Sequence, residues 1–469
     1  MEQIEQIASL QHRLVKLSVR WAAGKNDVLP EAAGLRRELI LLLHRYYIGH
    51  IAAYRQRADR NGVGDSAGIE HIKARLTSTD DIFKGCRQAW LDKKDFAAMN
   101  SWLSGIFYRN IEMDKQGIVS IDGWLNGLEA AGVKVSYSSG TSGSMSFVPR
   151  SESDWAMSRT ANAAYLAPLL VSRGIIKTPA RFLLGPAVTL LSPGEFRGMA
   201  VRMGLSTFDA FFLGFRGGMM GNQKLITEMA PLFGKTHFLY DIPFSASVLR
   251  SLRHGTLNRD DLRQLEDFNA LVVGKREQSY LQLAGAMEES ASSGKKIFVF
   301  GAPYQFGEFC EVMSAHGRRI PSKKGSILLF GGGWKSFSGE AMDREGLVLS
   351  LSWTFGLPPD DILEGYSMTE ISVLMLRCRH GRFHIPPLIE PVIFDEELRP
   401  LTGSGLSGRF GFLDSLAVSY PGFVISGDSV HLVDGHCPCG LAGPGITEVA
   451  RVEGREIKGC GGIMGSLPV

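Results

Sequence analysis

The sequence predicts an α/β protein with a large body of parallel βαβ units and a β-rich late portion. Two apolar stretches, KIFVF at 296–300 and SILLF at 326–330, are typical of buried strands, and the helical pattern EFCEVMSAHG lies between them. Strands that alternate with helices are typical of parallel sheets. After residue 371 the pattern changes to short apolar runs broken by proline and glycine, which indicates a region dominated by strands.

The first 60 residues are predicted to form two helices, with Pro30 at the start of the second. The amphipathic stretch MEQIEQIASLQHRLVKL lacks the basic start and short apolar core of a signal peptide. No segment approaches the ~18 uninterrupted apolar residues of a membrane span. Because the six cysteines come without an export signal, we expect a cytoplasmic protein with reduced thiols.

The composition is typical of a globular enzyme, with 44% hydrophobic and 21% charged residues in 469. The net charge is only +3, and no basic run with interleaved aromatic residues is present, so we expect no nucleic-acid partner. The simplest organisation is a helical segment at 1–60, a main catalytic domain at 61–430 and a short C-terminal segment at 431–469.

A loop rich in serine and glycine, SSGTSG at 138–143, follows the strand predicted at Val133–Tyr137. Glycine lets backbone N–H groups approach phosphate oxygens, and the hydroxyl groups would add donors. The loop has neither the GxxxxGKS/T spacing of a Walker loop nor the GxGxxG of a dinucleotide fold. Taken alone, it is equally typical of a linker or of the nucleophile region of amidase-signature hydrolases.

Four motifs follow this loop in order: FGGGW at 330–334, GYSMTE at 365–370, SGD at 426–428 and GREIKG at 454–459. The series resembles the adenylate-forming enzyme superfamily, which includes acyl- and aryl-CoA ligases and firefly-type luciferases. The resemblance implies an enzyme that uses ATP and Mg²⁺ to convert a carboxylic acid into an acyl-AMP.

The resemblance also implies a role for each motif. The serine-rich loop would hold the β- and γ-phosphates, and the triple glycine would flank the adenine and acyl groups. Thr369 would bond the α-phosphate, Glu370 would hold Mg²⁺, and Asp428 would accept from the ribose hydroxyls. The other nucleotide-binding residues implied are Ser139, Gly140, Thr141, Ser142, Gly143, Gly331, Gly332, Gly333, Tyr366 and Arg455.

Within the superfamily the chain is similar to two groups. HCPCG at 436–440 resembles the phenylacetate-CoA ligases, whereas GGGWK at 331–335 and EIKGC at 456–460 resemble the acyl-protein synthetase of bacterial bioluminescence. In the second group a cysteine near the C-terminus accepts the acyl group from AMP and passes it to a partner reductase. The resemblance therefore implies that Cys460 carries an acyl thioester, with a fatty acid as the expected substrate and an aryl acid as the alternative.

Three features depart from the superfamily pattern. The serine-rich loop lacks the lysine that commonly follows it, and the first basic residue after it is Arg150. Ser367 replaces the commoner glycine. The segment after Asp428 is much shorter than the usual C-terminal domain, which puts CoA transfer in doubt.

Several alternatives stay open at this point. Glu370 could be an exposed helix-start carboxylate, Asp428 a turn residue and Cys460 an inert thiol. The whole chain could instead be a CoA or amide ligase, or a nucleotide-binding scaffold without turnover.

Cys437 and Cys439 form a CxC pair, whereas common zinc knuckles have CxxC. With His431, His436 and Cys460 nearby in the sequence, a metal site is conceivable, although the pattern favours a turn with buried thiols. The aromatic run FDAFFLGF at 208–215 could line an acyl pocket, and core packing explains it equally well.

Overall fold

A computed structural model of the chain describes residues 2–114, 117–138, 145–172, 204–254, 259–332 and 342–452. The helices are α1 (Glu2–Ala22), α2 (Leu29–His50), α3 (Ala52–Arg60), α4 (Ile69–Arg75), α5 (Gln88–Asp92), α6 (Phe96–Gly105), α7 (Ile121–Ala130), α8 (Glu152–Ser172), α9 (Gly221–Met229), α10 (Ala246–His254), α11 (Arg259–Val272), α12 (Arg276–Ser292), α13 (Pro303–Ala315) and α14 (Arg344–Phe355). The strands are β1 (Ser78–Thr79), β2 (Val133–Ser138), β3 (Ser146–Ser151), β4 (Phe208–Gly218), β5 (Thr236–Phe244), β6 (Lys296–Gly301), β7 (Ile327–Gly331), β8 (Ile362–Tyr366), β9 (Met375–Leu376), β10 (Phe383–His384), β11 (Ile389–Phe394), β12 (Leu406–Asp414), β13 (Phe423–Val433) and β14 (Gly445–Arg451).

One sheet has the strand order β5–β4–β6–β7–β8–β9 and is parallel except for the β8–β9 pair. Helix α13 connects β6 to β7, and α14 lies between β7 and β8, so the predicted βαβ units are confirmed. The strands read as continuous apolar runs because helices cover the sheet. Their carboxyl ends meet at one edge, the place where open α/β sheets bind ligands.

The late portion forms a second sheet in the order β10–β14–β13–β12–β11, with antiparallel neighbours throughout and β1 added parallel to β13. The predicted β-rich region is therefore confirmed. Residue 430, where the sequence suggested the end of the main domain, lies inside β13, and β14 pairs with the same strand.

Helices α1 and α2 pack against the second sheet. Gln11 Nε2 donates to Ser415 O at 3.0 Å, Trp21 Nε1 donates to Ala442 O at 2.8 Å, and the Tyr47 hydroxyl donates to Ala417 O. These three side chains are buried. Their buried polar atoms need these backbone acceptors, because buried polar groups are normally hydrogen-bonded. The three bonds therefore fix the position of the helices on the sheet.

Strands β2 and β3 form an antiparallel hairpin from Val133 paired with Ser151 to Ser138 paired with Ser146. Tyr137 N donates to Met219 O at 3.0 Å, and this bond ties the hairpin to the chain just after β4. The two strands that lead into and out of residues 139–144 therefore lie beside the carboxyl edge of the parallel sheet.

Helix α14 begins at Arg344, where the Asp343 side chain accepts from Gly346 N at 2.7 Å. An aspartate that bonds the free amides of the first turn is a strong helix start. No helix in the described ranges is long and apolar enough to cross a bilayer.

Candidate active site

The carboxyl ends of β4, β6 and β7 line a cleft. Leu213, Gly214 and Phe215 from β4 and Gly301 and Gly331 from the neighbouring strands face it. The aromatic run at 208–215 is nevertheless buried along its length, with Phe211, Phe212, Leu213 and Phe215 each at most 1% exposed. Core packing therefore accounts for the run, and only its last residues also border the cleft.

Two of the three predicted glycines lie at this edge. A Cβ atom at Gly331 would lie 3.1 Å from Gly365 O on β8, and Gly332 has a φ of +88°. Any other residue at these positions would press on the neighbouring strand or strain the backbone. Gly333 lies outside the described residues.

The two residues that flank residues 139–144 on the hairpin are joined by a side-chain hydrogen bond. Ser138 Oγ donates to Ser146 Oγ at 3.2 Å, and Ser146 Oγ donates to Glu370 Oε1 at 3.4 Å. The loop residues 139–143 lie outside the described residues, but their anchor points are at the Glu370 carboxyl.

Glu370 is buried, with 8% of its surface exposed. Burial and then the nearby Asp80 carboxylate raise the pKa of Glu370, while Lys84 and Arg150 act in the opposite direction. Lys84 Nζ forms an ion pair with Asp80 Oδ2 at 2.7 Å. Glu370 therefore has no short ion pair of its own among the described residues. An ionised carboxylate buried in this way destabilises the fold unless a cation binds beside it.

Thr369 is held from two sides. A Cβ atom at Gly221, the first residue of α9, would lie 3.2 Å from Thr369 Oγ1, so a larger residue there would press on the threonine side chain. Arg150 donates to Thr369 O at 2.7 Å and to the Tyr420 hydroxyl at 3.0 Å, and that hydroxyl in turn donates to Glu370 O at 3.1 Å. The backbone of both predicted catalytic residues is thereby fixed.

Asp428 lies on β13 opposite Arg451 of β14. Its carboxylate pairs with Arg451 Nη1 at 2.9 Å and accepts from the Tyr366 hydroxyl at 2.9 Å. Burial and then the charge of Asp428 raise the pKa of Tyr366 well above its usual value, so the phenol stays protonated and donates. Asp428 is thus a buried, oriented acceptor and not a turn residue in an exposed loop.

The structure places Gly331 opposite Gly365 on β8, and the next residue, Tyr366, donates to Asp428. Glu370, which follows Thr369, lies close enough to Tyr366 to contribute to its raised pKa. Arg455 and Cys460 lie outside the described residues. Sequence reasoning missed Arg150, Tyr420 and Arg451. The position of Arg150, as the first basic residue after the loop, was the available signal for its role.

Residues 278–467 match the family model of LuxE, described as acyl-protein synthetase. Over that range the chain is similar to acyl-protein synthetases. The matched range contains Thr369, Glu370, Asp428 and Cys460, and the serine-rich loop precedes it.

Two relatives are each named long-chain-fatty-acid–luciferin-component ligase. The Vibrio harveyi protein is 29% identical over 195 residues, which is 41% of this chain and 50% of that protein. The Aliivibrio fischeri protein is 25% identical over 170 residues, 36% of this chain and 45% of that protein. The chain thus spans about half the length of the curated relatives it matches.

The fold has a solved counterpart in an open conformation of 2-hydroxyisobutyryl-CoA ligase in complex with 2-HIB-AMP and CoA. The likeness has a TM-score of 0.50 at 13% identity and covers 90% of this chain and 75% of that one. The predicted adenylate-forming fold is therefore confirmed. At this identity the likeness concerns the fold alone.

Proposed function

We propose that this chain activates a long-chain fatty acid as its acyl adenylate and passes the acyl group to the thiol of Cys460. The observation that carries the proposal is the buried carboxylate of Glu370, next to Thr369 and in contact with Ser146 of the β2–β3 hairpin. The similarity to acyl-protein synthetases over 278–467 supports the choice of acid and acceptor.

In the first reaction the carboxylate oxygen of the acid attacks the α-phosphorus of ATP, and the bond to the β-phosphate breaks to release pyrophosphate. Thr369 would donate to the α-phosphate, next to the N-terminal end of α9, where free amides favour an anion. Arg150 does not face the nucleotide in this scheme. It holds the Thr369 carbonyl so that the threonine hydroxyl is already in place.

The oxygen atoms around Glu370 fit a hard divalent cation. Glu370 and Ser146 both offer oxygen, which is the ligand type that Mg²⁺ prefers, and a cation would compensate the buried carboxylate. When bound with ATP, Mg²⁺ neutralises phosphate charge. Glu370 would hold it, and Asp80 stays bound to Lys84.

Asp428 would accept from the ribose hydroxyls of ATP. One of its oxygens bonds Tyr366 and the other Arg451, and a carboxylate offers about four lone-pair positions, so it retains capacity for the ribose. Its two partners fix its orientation before the nucleotide arrives.

In the second reaction the Cys460 thiolate attacks the acyl carbon, and the bond to the AMP oxygen breaks. Val452 N donates to Gly427 O at 3.4 Å, next to Asp428. Cys460 follows 460 − 452 = 8 residues later, so an extended tail could carry the thiol up to about 28 Å from that point. This reach is enough for the thiol to arrive at an acyl adenylate bound beside Asp428.

Acid-dependent ATP–pyrophosphate exchange tests the first reaction, with a series of straight-chain fatty acids and aryl acids as substrates. We expect exchange to rise with fatty-acid chain length and to stay at background with aryl acids. If no acid supports exchange, the chain is not an adenylating enzyme and a scaffold role replaces the proposal.

Labelled fatty acid tests the second reaction. We expect wild type to retain hydroxylamine-labile label, and Cys460→Ser to lose it while pyrophosphate exchange continues. Cys86→Ser, which removes a buried thiol that the proposed reaction does not use, is the matched control. Equal labelling of wild type and Cys460→Ser would rule out the cysteine, and release of acyl-CoA without bound label would identify a CoA ligase.

A further inference from the structure

A second cluster of reactive side chains lies away from the proposed active site. Cys378 follows β9, His384 ends β10, and Cys437 and Cys439 lie in the loop between β13 and β14. One ligand atom from each of the four residues lies within 4.8 Å of all the others. We call these four residues the thiol cluster.

The thiol cluster differs from the one that the sequence suggested. His431 is turned toward Ser407, with Nδ1 and Oγ 2.8 Å apart, and His436 Nδ1 faces Leu441 O at 3.4 Å. The partners of the CxC pair come instead from the β9–β10 connection, about sixty residues earlier in the sequence.

The two turns that carry the cysteines have the same hydrogen-bond design. In one, Cys378 N donates to Arg382 O at 2.9 Å and Gly381 N donates to Cys378 O at 2.9 Å. In the other, Cys437 N donates to Leu441 O at 2.8 Å and Gly440 N donates to Cys437 O at 2.9 Å. Both glycines have positive φ, +78° and +101°, so the two turns present their first cysteine to each other in the same way.

The spacing suits a tetrahedral metal. The sulfurs of Cys378 and Cys437 are 3.8 Å apart, and ligands about 2.3 Å from a tetrahedral zinc lie about 3.8 Å from each other. A disulfide would need about 2.05 Å. Cys439 Sγ lies 3.1 Å from His384 Nε2, which completes a set of three sulfurs and one imidazole nitrogen.

The cluster is buried. Cys378, His384 and Cys437 are 7%, 4% and 3% exposed. The His384 ring makes an edge contact with Trp21, with 6.4 Å between the ring centroids, and its Nε2 atom faces the thiols. Buried polar groups in folded proteins are normally satisfied, and one metal ion would satisfy all four ligand atoms together.

We propose that Cys378, His384, Cys437 and Cys439 bind one structural Zn²⁺. Four protein ligands leave no open coordination position, which is the arrangement of structural zinc and not of catalytic zinc. The ion would join the β9–β10 turn to the β13–β14 loop. Asn26, between α1 and α2, also binds that loop, since its side chain donates to Gly440 O at 2.9 Å and accepts from Ala442 N at 3.0 Å. By ordering the loop, the ion would therefore also stabilise the contact of these two helices with the sheet.

The test uses full-length protein carrying Cys460→Ser, so that the tail thiol cannot contribute to metal binding, purified under reducing conditions with and without added zinc. We expect one zinc per chain by elemental analysis. Replacement by Co²⁺ should give the intense visible bands and the sulfur-to-cobalt charge transfer of a tetrahedral thiolate site. Chelation should lower the melting temperature, and added zinc should restore it.

Variants assign the ligands. We expect Cys378→Ser to lose the zinc, whereas His384→Cys should keep it with a shifted cobalt spectrum, because four thiolates also bind zinc. Cys310→Ser, a buried cysteine outside the cluster, is the control and should keep both. These readouts do not depend on ATP or acyl transfer, so they stand or fall separately from the proposed reaction.

Three results would overturn the proposal. They are a metal content of the Cys460→Ser protein far below one equivalent in both preparations, stoichiometric binding of a metal other than zinc, or a Cys378–Cys437 disulfide in reduced protein. Because the first measurement is made on the unsubstituted cluster, it decides the question even if Cys378→Ser fails to fold.

Discussion

The two polar clusters that meet the second sheet differ in the atoms they offer. At one end of the β13–β14 pair, Asp428 together with Glu370 and Tyr366 offers oxygen atoms, and both carboxylates are buried. At the other end, the thiol cluster presents sulfur and nitrogen to a closed, buried centre. Oxygen ligands suit Mg²⁺ and a charged nucleotide, whereas thiolate and imidazole ligands suit a more firmly held zinc ion.

The clusters also differ in how their charge is balanced. Asp428 is paired with Arg451, but Glu370 is left with a raised pKa by burial and by Asp80. Sites that must bind a ligand often retain such a cost in the free protein. This contrast predicts that damage to the oxygen cluster changes catalysis, while damage to the thiol cluster changes stability.

The largest effect is expected for Glu370→Gln. We expect acid-dependent pyrophosphate exchange to fall by roughly 10²–10³-fold, because the ligand for the phosphate-bound cation is lost. Glu397→Gln, at an exposed position, is the control. Bound zinc should not change in either variant.

The same substitution should make the protein more stable at pH 7. A carboxyl whose pKa is raised on folding destabilises the fold above its folded-state pKa, and this penalty disappears below the unfolded-state pKa. The melting temperature of Glu370→Gln should therefore exceed that of wild type at pH 7, and the difference should shrink as the pH falls. A lower melting temperature at pH 7 would make Glu370 a structural residue.

Arg150→Lys should have the next largest effect, a fall in kcat of roughly 10–100-fold. Lysine keeps the charge but lacks the planar fork that reaches both Thr369 O and the Tyr420 hydroxyl, and hydrogen bonds to charged groups contribute about 1.5–3 kcal/mol. Because Arg150 positions Thr369, KM for ATP should change less than kcat. An effect confined to KM would place Arg150 in direct contact with the nucleotide. Arg399→Lys, an exposed position, is the control.

Asp428→Asn should raise KM for ATP by roughly tenfold, the value of one charge-assisted hydrogen bond. The amide cannot accept through both of its polar atoms, so either Tyr366 or Arg451 loses its partner. Steady-state kinetics measure the change, and zinc content measured on the same sample shows whether the far end of the β13–β14 pair is affected. Unchanged KM would remove Asp428 from the nucleotide site.

Tyr366→Phe is expected to have the smallest effect, a rise in KM for ATP of roughly 2–10-fold. Only the bond that orients Asp428 is lost, and the ring still packs against Phe383 and Phe410. An increase larger than that of Asp428→Asn would contradict the order proposed here.

Local patterns predicted what depends on local structure. The runs KIFVF and SILLF identify β6 and β7 because buried parallel strands are continuously apolar, and the motif order identified the adenylate-forming fold. The role of Arg150 could not be predicted from local patterns, because its partners Thr369 and Tyr420 lie 219 and 270 residues away in the sequence. The thiol cluster shows the same limit: the two histidines near the CxC pair in sequence, His431 and His436, face Ser407 and Leu441 O, and the histidine that faces the thiols is His384.

The hydrogen bonds of α1 have a consequence for how the chain folds. The partners of Gln11 and Trp21 lie 404 and 421 residues later in the sequence. At about 5–20 residues per second, the ribosome needs roughly 20–80 s to add the residues between them. Of the helices that pack on α1, α2 follows at once and α8 about 130 residues later, so the apolar face of α1 is covered in stages before these two hydrogen bonds can form. Substitutions that loosen the α1–α2 contact should therefore reduce the yield of folded protein more than they reduce its final stability.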